Sequence, residues 1–567
     1  MGNFYTGTPD LRHRIETTPW ERFIPALEAN FIDEDELAPE NLDEAVEQIG
    51  MVLELVGEMA AEEIAPRAAE VDRIGARLVD GKVVYPEPML GSVRLLSEAG
   101  LMGFTLPREF GGMNLPVTAY TAAVEMVSRA DASLMTIFAL QGCGETINRW
   151  GSDEIRQRFI PGLCTGEISL SMALTEPNAG SALGSVMTRA HLDEDGLWTI
   201  RGSKCFITNG GADLLLVLAR TEACAGGEGL SLLLVERGEG VSVSKLEKKL
   251  GIHGSATAVV NFDDARGVLL GNRGGGLYEC TLHMLHNVRL EVAAQAVGIA
   301  EAAQAQAARY AREREQFGRP IDRFAPVRTM LFRNAVQIEV ARAITMTTAN
   351  EVDIRRSLRR AGGSEEDLKH HERIADLLTP LSKYYACEMV NQVTSRSLQV
   401  HGGYGYTTEY PVERHMRDGR ITSIYEGTSE IQVGALIAPL LKGGLELLFG
   451  DRLAAAVEPE SCKGVLAELQ TAFEQLSEAA RKALDADHMA HQGWARDFAD
   501  ATAELVAGLV FLRDAASLDR AARLARYTAS AAVRRAGRVL EIVDGDERTG
   551  FDDDSFEDVV GPYRSGM

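Results

Sequence analysis

The segment SIYEGTSEIQ, residues 423–432, places one carboxylate between an aromatic residue and a glycine. Glu426 lies between Tyr425 and Gly427, and Thr428 follows. Such a carboxylate can act as a general base, because the ring helps to exclude water and the glycine lets the chain bend close to a ligand. The same pattern fits an acid near the N-terminus of a helix that begins around Thr428. Both interpretations are open at this point.

Two shorter segments could hold a polar ring or a phosphate. ALTEPNAGS (173–181) combines hydroxyls with small residues at the end of a predicted strand, although a plain turn has the same composition. In CFITNG (205–210), Phe206 and Thr208 lie on the same face of a predicted strand, so an aromatic ring and a hydroxyl are side by side. A strand of the hydrophobic core can have this pattern too.

A glycine-rich turn lies within QVHGGYGYTTEYPVERHMRD. Gly402, Gly403 and Gly405 allow the backbone to approach a ligand closely, whereas a helix in a core would not favour three glycines. Gln399 and Arg414 flank this turn, and the segment with Glu426 follows directly.

The elements that must position these residues form four regions. Helical periodicity from about residue 40 to 165 predicts an N-terminal helical domain, assigned to 1–165 with an extended N-terminal segment, and Pro66 should end a helix. Short strands without helices between them predict an antiparallel β domain over 166–280, and no glycine fingerprint of a Rossmann site is present. Long helices predict a four-helix bundle over 281–446, with a charged connector at RRSLRRAGGSEEDLKHHER. A further helical domain follows over 447–567, so the predicted class is α+β, mostly α.

Composition restricts the possible partners. The chain has 567 residues, 45% of them hydrophobic, and a formal charge of -25, which argues against nucleic acid or anionic membranes as partners. Its seven cysteines are spread singly, which indicates a reducing compartment. The N-terminus shows no signal-peptide pattern and no run of 18 apolar residues occurs, so we expect a cytoplasmic protein without stable membrane insertion. The Met-Gly start with Thr6 formally fits myristoylation, but no basic patch follows it.

Five motifs in this order resemble the FAD-dependent acyl-CoA dehydrogenases. They are TEPNAGS, FITNG, REQFG (314–318), QVHGGYGYTTEYPVERHMRD and IYEGTSEIQ, and the resemblance covers residues from about 50 to 445. The longer chain is similar to a bacterial subgroup that includes 3-(methylthio)propionyl-CoA dehydrogenases.

The resemblance implies roles for individual residues in binding FAD. Phe206 matches the aromatic residue that packs on the isoalloxazine ring, and Thr208 the hydroxyl that faces flavin N5. Thr175 matches the contact to the pyrimidine side of the flavin, and Ser181 a pyrophosphate contact. A second set matches contacts to the FAD of a neighbouring subunit, so the site would be complete only in an oligomer, with a dimer favoured: Arg314, Phe317, Gln399 and Gly403. Further cofactor-binding positions are Gly402, Thr428 and Glu430.

On the substrate side, the resemblance implies that Glu426 is the catalytic base and that Tyr425, Gly427 and Arg289 line the substrate site. Some relatives carry the base on the long helix instead, at the position of Val288. Neither Val288 nor Arg289 can serve as a base, and we expect Glu291, almost one turn further, to face elsewhere.

The family pattern is broken at several positions. Ala182 replaces an aspartate, Glu430 a glutamine, and Phe324 and Ala325 replace the segment that usually carries a glutamine, which weakens individual FAD contacts. Met135 and Thr136 stand where relatives that act on glutaryl groups have an arginine, so a dicarboxylate substrate is not expected. His283 and His286 share a helix face but lack a third metal ligand, and no metal site is predicted.

The implied reaction is α,β-dehydrogenation of an acyl-CoA thioester to a trans-2-enoyl-CoA, with electrons passed to electron-transfer flavoprotein. Two alternatives remain open: an acyl-CoA oxidase, and a flavin-containing DNA-associated protein of the same family. The arginine-rich stretch RAARLARYTASAAVRRAGR (520–538) could pair with acidic segments of its own chain, bind a membrane surface or bind nucleic acid. The acidic runs DGDER and DDDSFED that follow it favour pairing within the chain.

Overall fold

The computed structural model describes residues 2–32, 35, 37–484 and 491–544. Its first part is helical, as predicted, and surrounds a hydrophobic core of its own. A short antiparallel hairpin, which the helical pattern did not predict, lies between the fourth and fifth helices. The elements are α1 (Pro9–Glu16), α2 (Ile24–Leu27), α3 (Leu42–Met59), α4 (Ala65–Ile74), β1 (Arg77–Val79), β2 (Lys82–Val84), α5 (Glu87–Glu98), α6 (Val117–Ala130), α7 (Ala132–Phe138), α8 (Gln141–Trp150) and α9 (Asp153–Thr165).

The expected helix end at Pro66 is wrong. The chain stays helical from α3 through a π-helical turn, Ala60–Ile64, into α4, and Pro66 lies in the first turn of α4. A proline lacks an N–H donor and crowds the preceding turn, and the wider π turn accommodates both effects. The N-terminus of α3 follows the ordinary rule, because the Asn41 side chain accepts a hydrogen bond from the Glu44 N–H at 3.0 Å.

The middle part is a seven-stranded sheet in which most neighbours are antiparallel. The strand order is β3-β6-β4-β5-β9-β7, with β8 paired to β9. The expectation of a purely antiparallel sheet needs one correction, since β6 pairs in parallel with β3 and at one position with β4. Long connections bring these strands together, and such connections permit parallel pairing. The strands are β3 (Leu170–Ala173), β4 (Arg189–Leu192), β5 (Trp198–Thr208), β6 (Leu214–Arg220), β7 (Leu230–Glu236), β8 (Val241–Leu246) and β9 (Thr257–Leu270).

Three long helices, α10 (Leu282–Glu313), α11 (Ala325–Ala361) and α12 (Glu365–His401), pack against one another and form most of the bundle. A small hairpin of β10 (Glu315–Gln316) and β11 (Arg319–Pro320) lies between α10 and α11. The predicted charged connector is almost entirely helical, because its charged residues lie on the last turns of α11 and the first turns of α12. The actual link is three residues long and starts at Gly362, which has a φ of +65°.

Buried ionic contacts fix the N-terminal helices on this bundle. The guanidinium of Arg342 on α11 donates hydrogen bonds to Glu125 on α6 at 2.8 Å and to Glu301 on α10 at 3.0 Å. Asp353 accepts hydrogen bonds from the first N–H groups of α6, those of Val117 and Thr118. A buried arginine with several carboxylate partners and a carboxylate at a helix N-terminus both hold a specific orientation between elements.

The chain ends, within the described residues, in a second group of helices. They are α13 (Val412–Arg420), α14 (Ser429–Pro439), α15 (Leu445–Ala455), α16 (Val465–Ala483), α17 (His491–Asp514) and α18 (Asp519–Asp544). The stretch from Ser429 to Ala455 is apolar and long enough to cross a membrane by length and composition, but half of its most apolar window is buried in the protein. Lys442 and Gly443 interrupt it, and α14 packs against α12 and α17.

The arginine-rich helix α18 forms ion pairs with acidic residues of its own chain. Arg535 lies 3.1 Å from the carboxylate of Asp500 and 3.0 Å from that of Glu504, both on α17, and Arg520 lies 2.6 Å from Asp10 on α1. Pairing within the chain is therefore observed. DDDSFED and all of DGDER except Asp544 lie outside the described residues, so the part of these acidic runs in the pairing stays a prediction.

Candidate active site

Glu426 lies in a tight turn just before α14. The hydroxyl of Thr428 caps this helix by accepting a hydrogen bond from the Ile431 N–H at 3.4 Å, so the predicted helix start is confirmed. Glu426 has a φ of +55°, a left-handed conformation that is unfavourable for a residue with a Cβ. Such strain persists only where the surroundings impose it, and it concentrates at functional sites.

Gly427 is required by the geometry of the same turn. Its φ is +91°, and a Cβ at this position would lie 2.6 Å from Nε2 of Gln432. That Nε2 donates hydrogen bonds to the carbonyl oxygens of Glu426 and Gly427, each at 3.2 Å. A side chain at Gly427 would therefore displace the amide that holds the turn.

Two cations also hold this turn through its carbonyl groups. Nε of Arg289, on α10, donates to the carbonyl oxygen of Glu426 at 3.3 Å. Nζ of Lys383, on α12, donates to the carbonyl oxygens of Gly427 and Thr422, each at 2.7 Å. Among the described residues, the carboxylate of Glu426 takes part in no hydrogen bond or ion pair. The backbone is therefore fixed while the carboxylate is left available.

Burial raises the pKa of Glu426 above its ordinary value, while the positive charges of Lys383 and Arg289 oppose that rise. A raised pKa makes a carboxylate a stronger base. The nearby cations keep the ionised form accessible, and an acceptor of protons must be in that form. The sequence predicted Arg289 at this site but missed Lys383, because nothing in the pattern of α12 distinguishes a buried lysine from an exposed one.

Tyr425 is anchored on the other side of the turn. Its hydroxyl donates a hydrogen bond to Oε1 of Gln295 on α10, and Nε2 of Gln295 donates to the carbonyl oxygen of Ala132 on α7 at 3.2 Å. This chain of hydrogen bonds fixes the ring between two helices. The predicted role of Tyr425 in excluding water stays a prediction, and Gln295 carries no sequence signal that could have found it.

The expectation that Glu291 faces elsewhere is wrong. The residue is 5% exposed, and the negative charge of Glu426 contributes, after burial, to a pKa of Glu291 well above its ordinary value. Both carboxyl groups also act on the thiol of Cys143 on α8, whose pKa burial raises. Glu291 also lies one turn before Gln295 on α10, and Gln295 accepts the hydrogen bond of Tyr425, the residue next to Glu426. The helix α10 therefore brings Glu291 to the same region as Glu426.

The segment around Thr175 forms a braced turn beside β5. Nζ of the buried Lys204 donates hydrogen bonds to the carbonyl oxygen of Leu174 and to Oε1 of Glu176, each at 2.8 Å. Burial opposes ionisation of Glu176, but these contacts and backbone N–H groups hold its pKa below the ordinary value. The turn is thus a stable support for Thr175, and sequence analysis missed the contribution of Lys204.

Phe206 and Thr208 lie on the outward side of β5, while Ile207 between them and Cys205 before them are buried. The ring of Phe206 is 62% exposed, and its φ is +59° at a register shift of the strand. Ser181 is exposed beyond the turn. The described chain therefore presents an aromatic surface flanked by hydroxyl groups, which is suited to a flat polar ring.

The residues predicted to contact a neighbouring subunit's FAD form a separate surface at the end of the bundle. The guanidinium of Arg314 lies 5.8 Å from the ring centroid of Tyr404, and Phe317 is 93% exposed with a φ of +51°. Gly402 and Gly403 have nothing within 4 Å of the space that a Cβ would occupy.

The remaining predicted cofactor positions differ in their surroundings. Gln399 is exposed near the end of α12. Thr428 caps α14, and Glu430 forms an ion pair with Arg496 on α17. The FAD contacts of all these residues stay predictions. In the described part of the chain, no three His, Cys, Asp or Glu residues are grouped as a metal site.

The fold is a helical part, a sheet and a helix bundle, and a turn of the bundle carries a carboxylate without a protein partner among the described residues. Family models match all three parts: the acyl-CoA dehydrogenase N-terminal domain over 47–167, the middle domain over 171–265 and the C-terminal domain over 274–441. The chain belongs to the acyl-CoA dehydrogenase family, whose members are FAD-dependent oxidoreductases.

Relatives extend this result over most of the chain. The short-chain specific acyl-CoA dehydrogenase of Clostridium acetobutylicum is 36% identical over 389 residues, which are 67% of this chain and 95% of that protein. The 3-methylmercaptopropionyl-CoA dehydrogenase of Ruegeria pomeroyi is 37% identical over 468 residues, 77% of this chain and 78% of that protein. A chain of the structure described as "Electron transferring flavoprotein of Acidaminococcus fermentans" is 33% identical, with a TM-score of 0.62 over 70% of this chain and 98% of that one.

The predicted family, fold class and cofactor class are therefore confirmed. The residues present also fit FAD, because the exposed ring of Phe206 and the open backbone at Gly402 and Gly403 are surfaces that a flat, phosphate-bearing group can cover.

Proposed function

We propose that this protein oxidises an acyl-CoA thioester to the trans-2-enoyl-CoA, with Glu426 as the base that removes the α-proton. The observation that carries this assignment is the Glu426 carboxylate itself, which has no protein partner among the described residues and stands on a strained turn held by Arg289, Lys383 and Gln432. Bound FAD supplies the acceptor, at N5, for the hydride that leaves the β-carbon.

The chain's own residues then perform three tasks. The Glu426 carboxylate takes the α-proton and becomes a neutral acid. The N–H of Glu426, which donates no hydrogen bond within the described chain, is free to donate to the thioester carbonyl oxygen and to stabilise the enolate that forms as the proton leaves. The ring of Tyr425 keeps water from the carboxylate, which sustains its raised pKa.

We further propose that electrons leave the enzyme through electron-transfer flavoprotein, that the protein works as a homodimer, and that it is cytoplasmic. Membership of the family and the likeness to a chain of the Acidaminococcus structure support the first point. The exposed surface around Arg314 and Phe317 supports the second, since an aromatic ring that is 93% exposed suits contact with another subunit. Seven free cysteines support a reducing compartment.

Anaerobic titration of the FAD-loaded protein with acyl-CoAs, followed by bleaching of the flavin band, tests the assignment. The panel runs from butyryl-CoA to palmitoyl-CoA and includes 3-(methylthio)propionyl-CoA and phenylpropionyl-CoA. Wild type should bleach with at least one of them. Glu426→Gln should slow the bleaching about 10³-fold, because a positioned base contributes about 10²–10⁴-fold to proton removal and the neutral amide cannot accept the proton.

Glu446→Gln serves as the control, because Glu446 is an exposed acid on α15. It should bleach as wild type does. Bleaching that persists in Glu426→Gln would show that another group is the base. If no acyl-CoA bleaches the wild-type flavin, the proposed dehydrogenation itself is wrong.

A further inference from the structure

Glu291 is a buried carboxyl group that has no role in the proposed reaction. It is 5% exposed, and its Oε2 has no hydrogen-bond partner among the described residues. A buried polar group without a partner costs free energy, and such groups are rare in native proteins unless a ligand or water satisfies them. An apolar residue at this point of α10 would avoid that cost. The carboxyl group therefore indicates a functional role at this position.

The surroundings make room for this carboxyl group. A Cβ at Gly142 on α8 would collide with Oε1 of Glu291, so this position must be a glycine as long as Glu291 points where it does. The neighbouring Tyr120 does not donate to Glu291, because its hydroxyl donates to the carbonyl oxygen of Phe138 at 2.9 Å. The helices α8 and α6 therefore leave space for the carboxyl group, but Gly142 and Tyr120 donate no hydrogen bond to it.

The two cations of the site are engaged elsewhere. Arg289 donates to the carbonyl oxygen of Glu426, and Lys383 donates to the carbonyl oxygens of Gly427 and Thr422. Neither forms an ion pair with Glu291. Burial without a neighbouring cation raises the pKa of a carboxyl group, so the group keeps its proton to higher pH.

The protonation state of Glu291 depends on the charge of Glu426. Glu426 must be ionised to accept the α-proton, and the charges of Lys383 and Arg289 favour its ionised form. Of two neighbouring carboxyl groups, the one with the cations ionises first and disfavours ionisation of the other. Burial and the charge of Glu426 raise the pKa of Glu291 well above its ordinary value. Glu291 is therefore a neutral acid when the base is ready, and a neutral carboxylic acid is a hydrogen-bond donor.

We propose that Glu291 lines the acyl-binding cavity and donates a hydrogen bond to a neutral oxygen or sulfur atom of the acyl group, so that the substrate is an acyl-CoA with such an atom beyond its β-carbon rather than a plain alkyl chain. This inference rests on the proposed function, because it assumes that the acyl group lies beside Glu426. The dehydrogenation is unchanged by it: the α-proton still goes to Glu426 and the β-hydride to the flavin.

Pairs of substrates with equal shape distinguish a hydrogen bond from Glu291 from selection by the size of the acyl group. Hexanoyl-CoA and 4-methoxybutanoyl-CoA differ only by a methylene group replaced by an ether oxygen. A second pair, 5,5-dimethylhexanoyl-CoA and 4-(trimethylammonio)butanoyl-CoA, differs only by a positive charge. For each compound we would measure the anaerobic rate of flavin reduction, and the dissociation constant of its 2-enoyl product from the oxidised, FAD-loaded protein by calorimetry.

We expect wild type to bind the methoxy product about 10-fold more tightly than the hexenoyl product, since one net hydrogen bond contributes about 1–1.5 kcal/mol. Glu291→Leu should remove or reverse this preference, because it keeps the volume and deletes the donor. Glu291→Gln, which keeps an N–H donor, should retain part of it. If Glu291→Leu does not give a folded protein, Gly142→Ala, which displaces the carboxyl group, should remove the same preference.

Equal binding of the two uncharged products to wild type, or a preference that survives in Glu291→Leu, would overturn the proposal. A preference of wild type for the trimethylammonio compound over its uncharged isostere would also overturn it and would show that Glu291 binds as an anion. Failure of the proposed function looks different, because in that case none of the four acyl-CoAs would bleach the flavin in wild type or in Glu291→Leu.

Discussion

The turn around Glu426 and the surfaces that should hold FAD are built in opposite ways. The carbonyl oxygens of Glu426 and Gly427 accept hydrogen bonds from Arg289 and Lys383, which lie on two different helices. By contrast, the rings of Phe206 and Phe317 are 62% and 93% exposed. The proposed base is thus positioned by the fold of one chain, whereas the predicted cofactor surfaces are exposed and, by prediction, are completed by FAD and a second subunit. The comparison predicts that substitutions in the turn lower the rate of flavin reduction, whereas substitutions on the exposed surfaces weaken FAD binding.

Among variants that keep the Glu426 carboxylate, the largest effect is expected at Gly427. In Gly427→Ala the new methyl group needs the space of the Gln432 amide and must adopt a φ of +91°. The base should move, and we expect the rate of anaerobic flavin reduction to fall about 100-fold while FAD content stays as in wild type. Gly434→Ala is the matched control on α14, since nothing lies within 4 Å of its Cβ position. Loss of FAD together with activity would contradict this prediction, because the turn and the FAD surfaces would then depend on each other.

The second effect is expected at Lys383. Lys383→Met leaves the carbonyl oxygen of Thr422 without its donor and that of Gly427 with the Gln432 amide alone. The free energy of unfolding should therefore fall by about 1–3 kcal/mol, as measured by urea denaturation.

The same variant has a predicted pH dependence. The charge of Lys383 lowers the pKa of Glu426, so its removal raises that pKa. Only ionised Glu426 accepts a proton, and the rise of the reduction rate with pH should therefore move to higher pH in Lys383→Met. Stopped-flow reduction across pH measures it. Lys369→Met, an exposed position on the same helix, should leave the profile in place. A shift to lower pH would contradict the electrostatic link.

The smallest effect is expected on the exposed surfaces. Phe206→Ala and Phe317→Ala should each weaken FAD binding about 10-fold, measured as retention on dilution. Because both rings are exposed, the free energy of unfolding of the apoprotein should change by less than about 0.5 kcal/mol.

Mixing the two variants sharpens the comparison. If the two rings belong to different subunits of one FAD site, a mixed dimer has one intact site, and part of the tight FAD binding returns. If both rings belong to a site within one chain, mixing restores nothing, and the proposed sharing of FAD between subunits is wrong.

Local patterns predicted several elements correctly because local chemistry decides them. Thr428 begins α14 through a hydroxyl cap, and the alternation of Phe206 with Ile207 and Thr208 gives an outward face on β5. The helix end at Pro66 failed, because the π turn before it is accommodated by packing and has no signal in the sequence. The charged connector failed in the same way, since ion pairs such as Arg359 with Glu372 let charged residues stay helical.

By itself, the sequence determined the family and the order of helical and β regions, and it predicted Glu426 as the base, because motifs and short-range periodicity carry that information. Only the tertiary structure decided what surrounds Glu426. Lys383, Gln295 and Glu291 come from helices distant in the chain, and no spacing rule reports on contacts made by packing. The substrate preference that we infer depends on one such contact, because a carboxyl group acquires its protonation state and its partners only where the fold places it.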